Sequence, residues 1–300
     1  MNRVKVEAHA KLNLTLDLLG RSDGYHLIDS LVTTIDLSDL IVAKKRRDRL
    51  ITVTMHGMGS ESIPPQENNA QRAGERFVSR FETTGADITI YKNIPVGAGL
   101  GGSSADAAGV LNALAELYEV KDRDALKVLA DELGSDTGYL LTGGFQRMRG
   151  RGEQLERFKT TPILHFLLLC PRSGVSTAEC YRKSDELEQQ SPYTGQVLEY
   201  LKSGETESAA KLFSNGLHEA AKELNPDVET AVRELSGFSP WGVSMTGSGS
   251  GVFAVFETAE LCEWAKSRYR GKFRAYCLKS VEPRRKKFGN IFSLREESFE

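Results

Sequence analysis

Four glycines fall within six residues at Gly97, Gly99, Gly101 and Gly102, inside the run Pro95–Ala105 (PVGAGLGGSSA). Glycine reaches positive φ without strain and lets backbone approach a neighbour closely, but it weakens any element that does not need it. Period-two apolar residues at 87–91 predict a strand entering this loop. Ala107, Val110, Leu111, Leu114 and Tyr118 recur at i, i+3, i+4, i+7 and i+11, which predicts a helix leaving it. A helix start carries unpaired N–H groups and the positive end of the dipole, so strand, glycine loop and helix together form an anion site. Ser103 and Ser104 add hydroxyls able to cap the helix, bind a phosphate oxygen or reach Mg²⁺.

Three readings compete. A helix-capping turn would not use so many glycines. Gly97, Gly99 and Gly102 match G-x-G-x-x-G, but a dinucleotide fold needs a strand ending in an acidic residue after the helix, and here Asp122–Leu133 predicts a second helix. No G-x-x-x-x-G-K-[ST] occurs, which removes the P-loop. A phosphate site of another kind fits best.

The remaining pattern mixes strands and helices. Val4, Val6, Ala8, Ala10, Leu12, Leu14 and Leu16 alternate with polar residues, predicting a strand whose other face carries Lys5, Glu7, His9, Lys11 and Asn13. Strand-like sequence resumes after RSDGYH through Ile41 and again at 49–56. A helix is predicted at 68–82, and a pair of strands at 144–148 and 164–169. Helices follow at 176–189, 194–203, 206–223 and 226–236. Strands at 242–246 and 252–256 flank Gly247–Gly251, and a helix and a strand at 273–281 end the pattern.

Net charge is -2, with 27% charged and 40% hydrophobic residues. Neither a nucleic acid nor a membrane is expected as partner. The basic runs at 44–47 and 284–287 read as solvated surface. No apolar stretch approaches the roughly 20 residues of a membrane span, and the N-terminus lacks a signal-peptide core, so a cytoplasmic location is expected. Four cysteines without C-x-x-C spacing predict no metal site and no disulfide framework.

PVGAGLGGSSADAA resembles the nucleotide loop of the galactokinase, homoserine kinase, mevalonate kinase and phosphomevalonate kinase superfamily. AKLNL paired with DGYH, then LGSDTGYLLTGG, RGRGEQL, PRSGVSTAECY and MTGSGSGVFAVF, resemble the 4-diphosphocytidyl-2-C-methyl-D-erythritol kinase family over about residues 4–281. The resemblance implies an α+β fold of two domains. The first, residues 1–160, would be ribosomal-protein-S5-domain-2-like, and the second, 161–283, ferredoxin-like, with a basic and acidic tail at 284–300. It implies ATP and Mg²⁺, a small-molecule substrate with a cytidine diphosphate moiety, phosphorylation of its 2-hydroxyl, and a monomer or homodimer.

On residues alone, Asp136 is equally a helix cap or a base. The resemblance implies the base, with Lys11 as the cation beside it that stabilises charge on the transferring phosphoryl group. It implies ATP contacts from Pro95, Val96, Gly97, Ala98, Gly99, Leu100, Gly101, Gly102, Ser103, Ser104 and Ala105, and from Asn69. It implies substrate contacts from Asn13, Tyr25, His26, Thr177 and Tyr181, with the aromatic rings around the base. Gly247–Gly249 reads either as a second phosphate turn or as a plain strand connection. Ala105, Gly138 and Ser250 depart from the family's usual serine, proline and proline, and Ala70 and Gln71 from its usual aliphatics. Two further readings stay open: a superfamily kinase for another alcohol, such as homoserine or mevalonate, and a nucleotide-binding protein without turnover.

Overall fold

A computed structural model describes residues 2–60, 68–158, 162–188 and 191–283. The domain boundary expected at 160/161 and the tail at 284–300 lie outside the described residues. In chain order the first half holds β1 (Arg3–Asn13), β2 (Asp17–Ser22), β3 (Tyr25–Lys45), β4 (Ile51–Gly57), α1 (Asn69–Phe81), β5 (Ala86–Lys92), α2 (Gly102–Leu117), α3 (Arg123–Leu133), α4 (Ser135–Leu140), β6 (Gln146–Gly150) and β7 (Gln154–Arg157). The second holds β8 (His165–Cys170), α5 (Thr177–Ser184), α6 (Thr194–Ser203), α7 (Thr206–Lys211), α8 (His218–Leu224), α9 (Asp227–Ser236), β9 (Gly242–Met245), β10 (Val252–Phe256), α10 (Ala259–Arg268) and β11 (Arg274–Lys279).

Strand β3 organises the first sheet, whose order is β4-β5-β3-β6-β7, with β1 and β2 also paired to β3. The β4–α1–β5 unit supplies its parallel pair. Helix α2 is apolar on nearly every side, and accordingly it is the buried centre of the first half. A Cβ at Gly109 would meet Ala8 and Ile41 side chains at 2.8 Å, so this glycine lets α2 settle onto β1 and β3. The second sheet is antiparallel in the order β11-β8-β10-β9. With its strand–helix–strand–strand–helix–strand succession, this is the ferredoxin-like arrangement. HFLLLC and VFAVF read as unbroken apolar runs because both faces of this sheet are covered. Phe166, Leu168, Phe253 and Val255 join the main core, while Leu167, Leu169, Val252 and Ala254 join a second core with α8 and α9.

Three expectations need correction. The first strand stops at Asn13, because Leu14 and Thr15 N–H groups both turn to the Leu31 carbonyl; Leu14 and Leu16 are nevertheless buried. The strands at 144–148 and 164–169 are not a pair: β6 joins β3 and β7, and β8 belongs to the other sheet. The helix expected at 206–223 is two, α7 and α8. Between them Leu16 N–H bonds the Ser214 carbonyl at 2.9 Å and Gly216 N–H bonds the Leu16 carbonyl at 2.7 Å. This cross-domain bridge takes 212–217 out of the helix.

Candidate active site

The glycine loop lies where the two halves meet. Gly97, Gly99 and Gly101 have φ of +74°, +70° and +72°, so the loop alternates through the left-handed region. It packs backbone to backbone on the second glycine turn, Gly247–Gly251. Gly251 N–H bonds the Ala98 carbonyl at 3.2 Å, and a Cβ at Gly99 would sit 2.1 Å from the Thr246 carbonyl oxygen. The second turn is therefore part of the site wall, and its Gly249–Ser250 peptide bond is cis. Helix α2 has Gly101 at its N-cap, with no side chain to cap it, and its first turn holds no acidic residue. The positive helix end thus faces the cleft.

That cleft encloses about 670 Å³. Pro95–Ser104, Asn69, Lys11, Asn13, Asp136, Thr177, Tyr181 and the Gly247–Gly249 turn all line it. Ala105 does not: it is buried in the core, and its N–H bonds the Gly101 carbonyl, so neither backbone nor side chain is free for a ligand. The same burial means that the alanine at 105 removes no hydroxyl from the cleft.

Lys11 reaches the cleft from the polar face of β1. That face is open to solvent at Lys5 and Glu7, but the second half of the molecule covers it by Lys11 and Asn13, each 3% exposed. Lys11 Nζ donates to Asn13 Oδ1 and stands 3.7 Å from Asp136 Oδ2. Asn13 Oδ1 also accepts from Gly247 N–H at 3.1 Å, and its amide donates to Ser30 at 2.9 Å. Asn13 thereby fixes the ammonium against both the strand and the second glycine turn.

Asp136 sits in the first turn of α4 with a half-exposed side chain. The N-cap is Gly134, with φ +148°, and no side chain caps the helix. The capping role open to Asp136 from sequence is thus not the one it plays. Gly138, also in α4, is where a Cβ would meet Asp131 Oδ1 at 2.1 Å; the glycine gives room for the Asp131 carboxylate, which pairs with Lys127 at 2.5 Å.

Asn69 donates to Ser103 Oγ at 3.0 Å, joining α1 to the start of α2, while its neighbour Asn68 caps α1. Thr177 Oγ1 and Ser248 Oγ are 2.9 Å apart. Burial pushes the Tyr181 phenol well above its ordinary range, with nearby Asp136 adding to the effect. His26 lies behind Tyr181, ring centroids 4.8 Å apart, with Nε2 2.7 Å from Asp185 Oδ1. Tyr25 is 58% exposed at the hairpin tip, under the Arg151 guanidinium at 4.8 Å. Neither Tyr25 nor His26 lines the cleft itself; both stand at its rim, Tyr25 against Arg151 and His26 against Tyr181.

Several residues of the site escape a reading by motif. Lys92, Asp39 and Asp106 form a buried ion cluster, with Lys92 Nζ 2.6 Å from Asp106 Oδ2 and also bonded to Asp39. Asp39 Oδ1 accepts from Ile94 N–H at 2.9 Å. The cluster ties β3, the end of β5 and α2 together at the root of the loop. Burial alone lowers Lys92, but the two carboxylates outweigh it and the ammonium is raised. Burial raises Asp106 to about 7 against the pull of Lys92. One ammonium faces two carboxylates, and a proton on Asp106 removes the net buried charge. The folded pKa therefore exceeds the unfolded value of 3.8. The stability this proton gives is complete below about 4 and is lost as pH rises through about 7. We expect Asp106→Asn to gain stability relative to the wild type between pH 5 and pH 8, by a few degrees in melting temperature, about 2–4 °C per kcal/mol in a chain of this order of size. Parallel melting curves across that range would refute the assignment.

Among the described residues no helix is long and apolar enough to cross a membrane, and no group of three or more His, Cys, Asp or Glu stands ready to hold a metal.

Comparison with known proteins agrees with this geometry. The GHMP kinases N terminal domain family matches residues 68–146, and the GHMP kinases C terminal family matches 197–269. A crystal structure of a 4-(cytidine 5'-diphospho)-2C-methyl-D-erythritol kinase superposes with a TM-score of 0.77 at 30% identity, covering 93% of this chain and 100% of that one. A homoserine kinase from Cytophaga hutchinsonii, at 18% identity and a TM-score of 0.71, shares the fold, covering 94% of this chain and 96% of its own. The 4-diphosphocytidyl-2-C-methyl-D-erythritol kinase of Pelotomaculum thermopropionicum is 37% identical over 88% of this chain and 92% of its own. That of Desulfitobacterium hafniense (strain Y51) is 38% identical over 89% of this chain and 94% of its own. With the two glycine turns, Lys11 and Asp136 assembled around one cleft, and with likeness of this extent, the chain belongs to the 4-diphosphocytidyl-2-C-methyl-D-erythritol kinase family.

Proposed function

We propose that this protein transfers the γ-phosphate of ATP to the 2-hydroxyl of 4-diphosphocytidyl-2-C-methyl-D-erythritol, a step of non-mevalonate isoprenoid precursor synthesis. The observation that carries the chemistry is the convergence of Lys11 Nζ and Asp136 Oδ2, 3.7 Å apart, on the cleft that the uncapped start of α2 also faces.

ATP enters with its phosphates against the N–H groups of the glycine loop and the start of α2. Asn69 and Ser103 lie on the nucleotide side. The acceptor alcohol lies on the opposite side, between Asp136, Asn13 and the Gly247–Gly249 turn. Asp136 accepts the hydroxyl proton as that oxygen attacks the γ-phosphorus. The bond from the γ-phosphorus to the bridging oxygen breaks, and ADP leaves with that electron pair. Lys11, held by Asn13, offsets negative charge on the phosphoryl oxygens.

The donor set fits Mg²⁺, which binds through few protein groups plus substrate phosphates. Ser104 lines the cleft beside the phosphate loop and is the side chain that would reach the metal. Bound there, Mg²⁺ would neutralise charge on the phosphates. The rim rings of Tyr25 and His26, with the cleft-lining ring of Tyr181, suit a pyrimidine, by stacking and by hydrogen bonds to its edge.

The test is ADP release by the purified protein with Mg-ATP and the cytidine substrate, beside homoserine and mevalonate as control alcohols. Turnover confined to the cytidine substrate is expected. Turnover of a control alcohol alone moves the substrate, and ATP binding without turnover on any of the three refutes the kinase reading.

A further inference from the structure

Three cations line the cleft: Lys11, Lys92 and Arg151. Two are committed. Lys92 is held by Asp39 and Asp106, and Lys11 by Asn13 and Asp136. Arg151 has no carboxylate ion-pair partner for its guanidinium among the described residues; the guanidinium lies over the face of Tyr25, 4.8 Å from the ring centroid. Nearby arginines on the same β6–β7 ribbon are paired, Arg149 with Glu156 and Arg147 with Asp29.

The backbone around Arg151 is fixed. It stands at the turn between β6 and β7, flanked by Gly150 at φ +71° and Gly152 at φ +104°. Its N–H donates to Glu153 Oε2 at 2.6 Å, and its carbonyl accepts from Ser135 Oγ at 2.8 Å. Ser135 adjoins Asp136. The turn is thus pinned to the helix start that carries the base, while the guanidinium extends toward the rim ring of Tyr25.

We infer that Arg151 is a specificity-determining residue which binds the diphosphate linker of the substrate. The inference rests on the reading of the substrate given above. A cytidine diphosphate ester that places its base at the Tyr25, His26 and Tyr181 rings and its hydroxyl at Asp136 must carry its two phosphates across the interval between them. Arg151 spans that interval, with its backbone at the Asp136 end and its guanidinium at the Tyr25 end. A planar guanidinium fork matches phosphate oxygens, and an unpaired arginine gives up no ion pair to make the contact. Tyr25 holds the plate in place through a cation–π contact weak enough to exchange.

The test measures calorimetric binding of cytidine 5'-diphosphate and of cytidine to the wild type, Arg151→Gln and Arg149→Gln, with steady-state kinetics on each. The two variants lose the same charge from the same ribbon. For Arg151→Gln we expect diphosphate binding and the KM of the cytidine substrate to weaken by about 10- to 100-fold. Cytidine affinity, the KM of ATP and kcat are expected to stay within about 2-fold. For Arg149→Gln all of these are expected to stay near wild type. Unchanged diphosphate binding in Arg151→Gln overturns the inference. Equal weakening in Arg149→Gln does so too, since it would report only long-range charge. A rise in the KM of ATP instead of the substrate assigns Arg151 to the other nucleotide and also overturns it. A wild type that turns over the control alcohols and binds no cytidine diphosphate refutes the substrate reading itself, and the inference with it.

Discussion

Asp136→Asn is expected to lower kcat by about 10²- to 10⁴-fold, the range that a positioned general base contributes, while ATP binding and the melting temperature stay close to wild type. The separation of the two effects follows from geometry. Asp136 caps no helix, and its side chain is half-exposed, so an amide of the same shape leaves α4 intact. The amide cannot take the hydroxyl proton. Lys11 stands 3.7 Å away and acts on the same transferring group, so the two residues are expected to behave as one unit. Lys11→Met combined with Asp136→Asn should therefore be little worse than the more damaging single change. Steady-state kinetics with calorimetric ATP binding would check this. A substantial fall in melting temperature with only a few-fold loss in kcat would return Asp136 to a structural role.

Gly99→Ala is expected to abolish the assembled site by another route. Its φ is +70°, where an L side chain costs about 1–2 kcal/mol. More important, the new Cβ would lie 2.1 Å from the Thr246 carbonyl oxygen and 3.1 Å from that of Gly249. Neither is the tip of a flexible side chain, so the two glycine turns must part. We expect a loss of at least about 3 kcal/mol, combining the backbone cost with the overpacking cost, and a melting temperature lower by on the order of 10 °C. ATP binding should be lost with it. Gly20→Ala is the matched control: its φ is +102°, but a Cβ there meets nothing within 4 Å. Equal melting curves and equal turnover for the two variants would show that the contact between the turns is not what holds the loop.

Residue pattern alone pointed to the glycine loop as the candidate phosphate site. Glycines at 97, 99 and 101 between a strand and an apolar helix leave few other uses, and all three stand at positive φ in the fold. In the second half the strands at 164–169 and 252–256 were legible in position, while their ferredoxin-like arrangement followed only from the family likeness. The nucleophile side was legible only through the likeness of AKLNL and LGSDTG to a known family. Lys11 lies on a strand face that begins in solvent, and nothing local says that the second half of the molecule covers its end.

What tertiary structure decided has one physical cause: contacts between residues far apart in sequence outweighed local preference. The Leu212–Leu217 segment has helical neighbours on both sides, yet it is drawn out to pair with Leu16 and to let Asn215 bond the Met245 and Gly247 carbonyls at 2.9 and 2.8 Å. Asp39, Lys92 and Asp106 are unremarkable charges in sequence, 53 and 14 residues apart, and become a buried cluster only when three elements meet. Arg151 reads as one arginine of several. Its lack of a carboxylate partner among the described residues, and its place between Ser135 and Tyr25, exist only in the folded chain. Local pattern thus determined which segments could hold phosphate and form sheets, through backbone freedom and periodicity. The fold decided which charges are paired, which are buried and which one is left facing the cleft, because charge pairing depends on distance in space and not on distance along the chain.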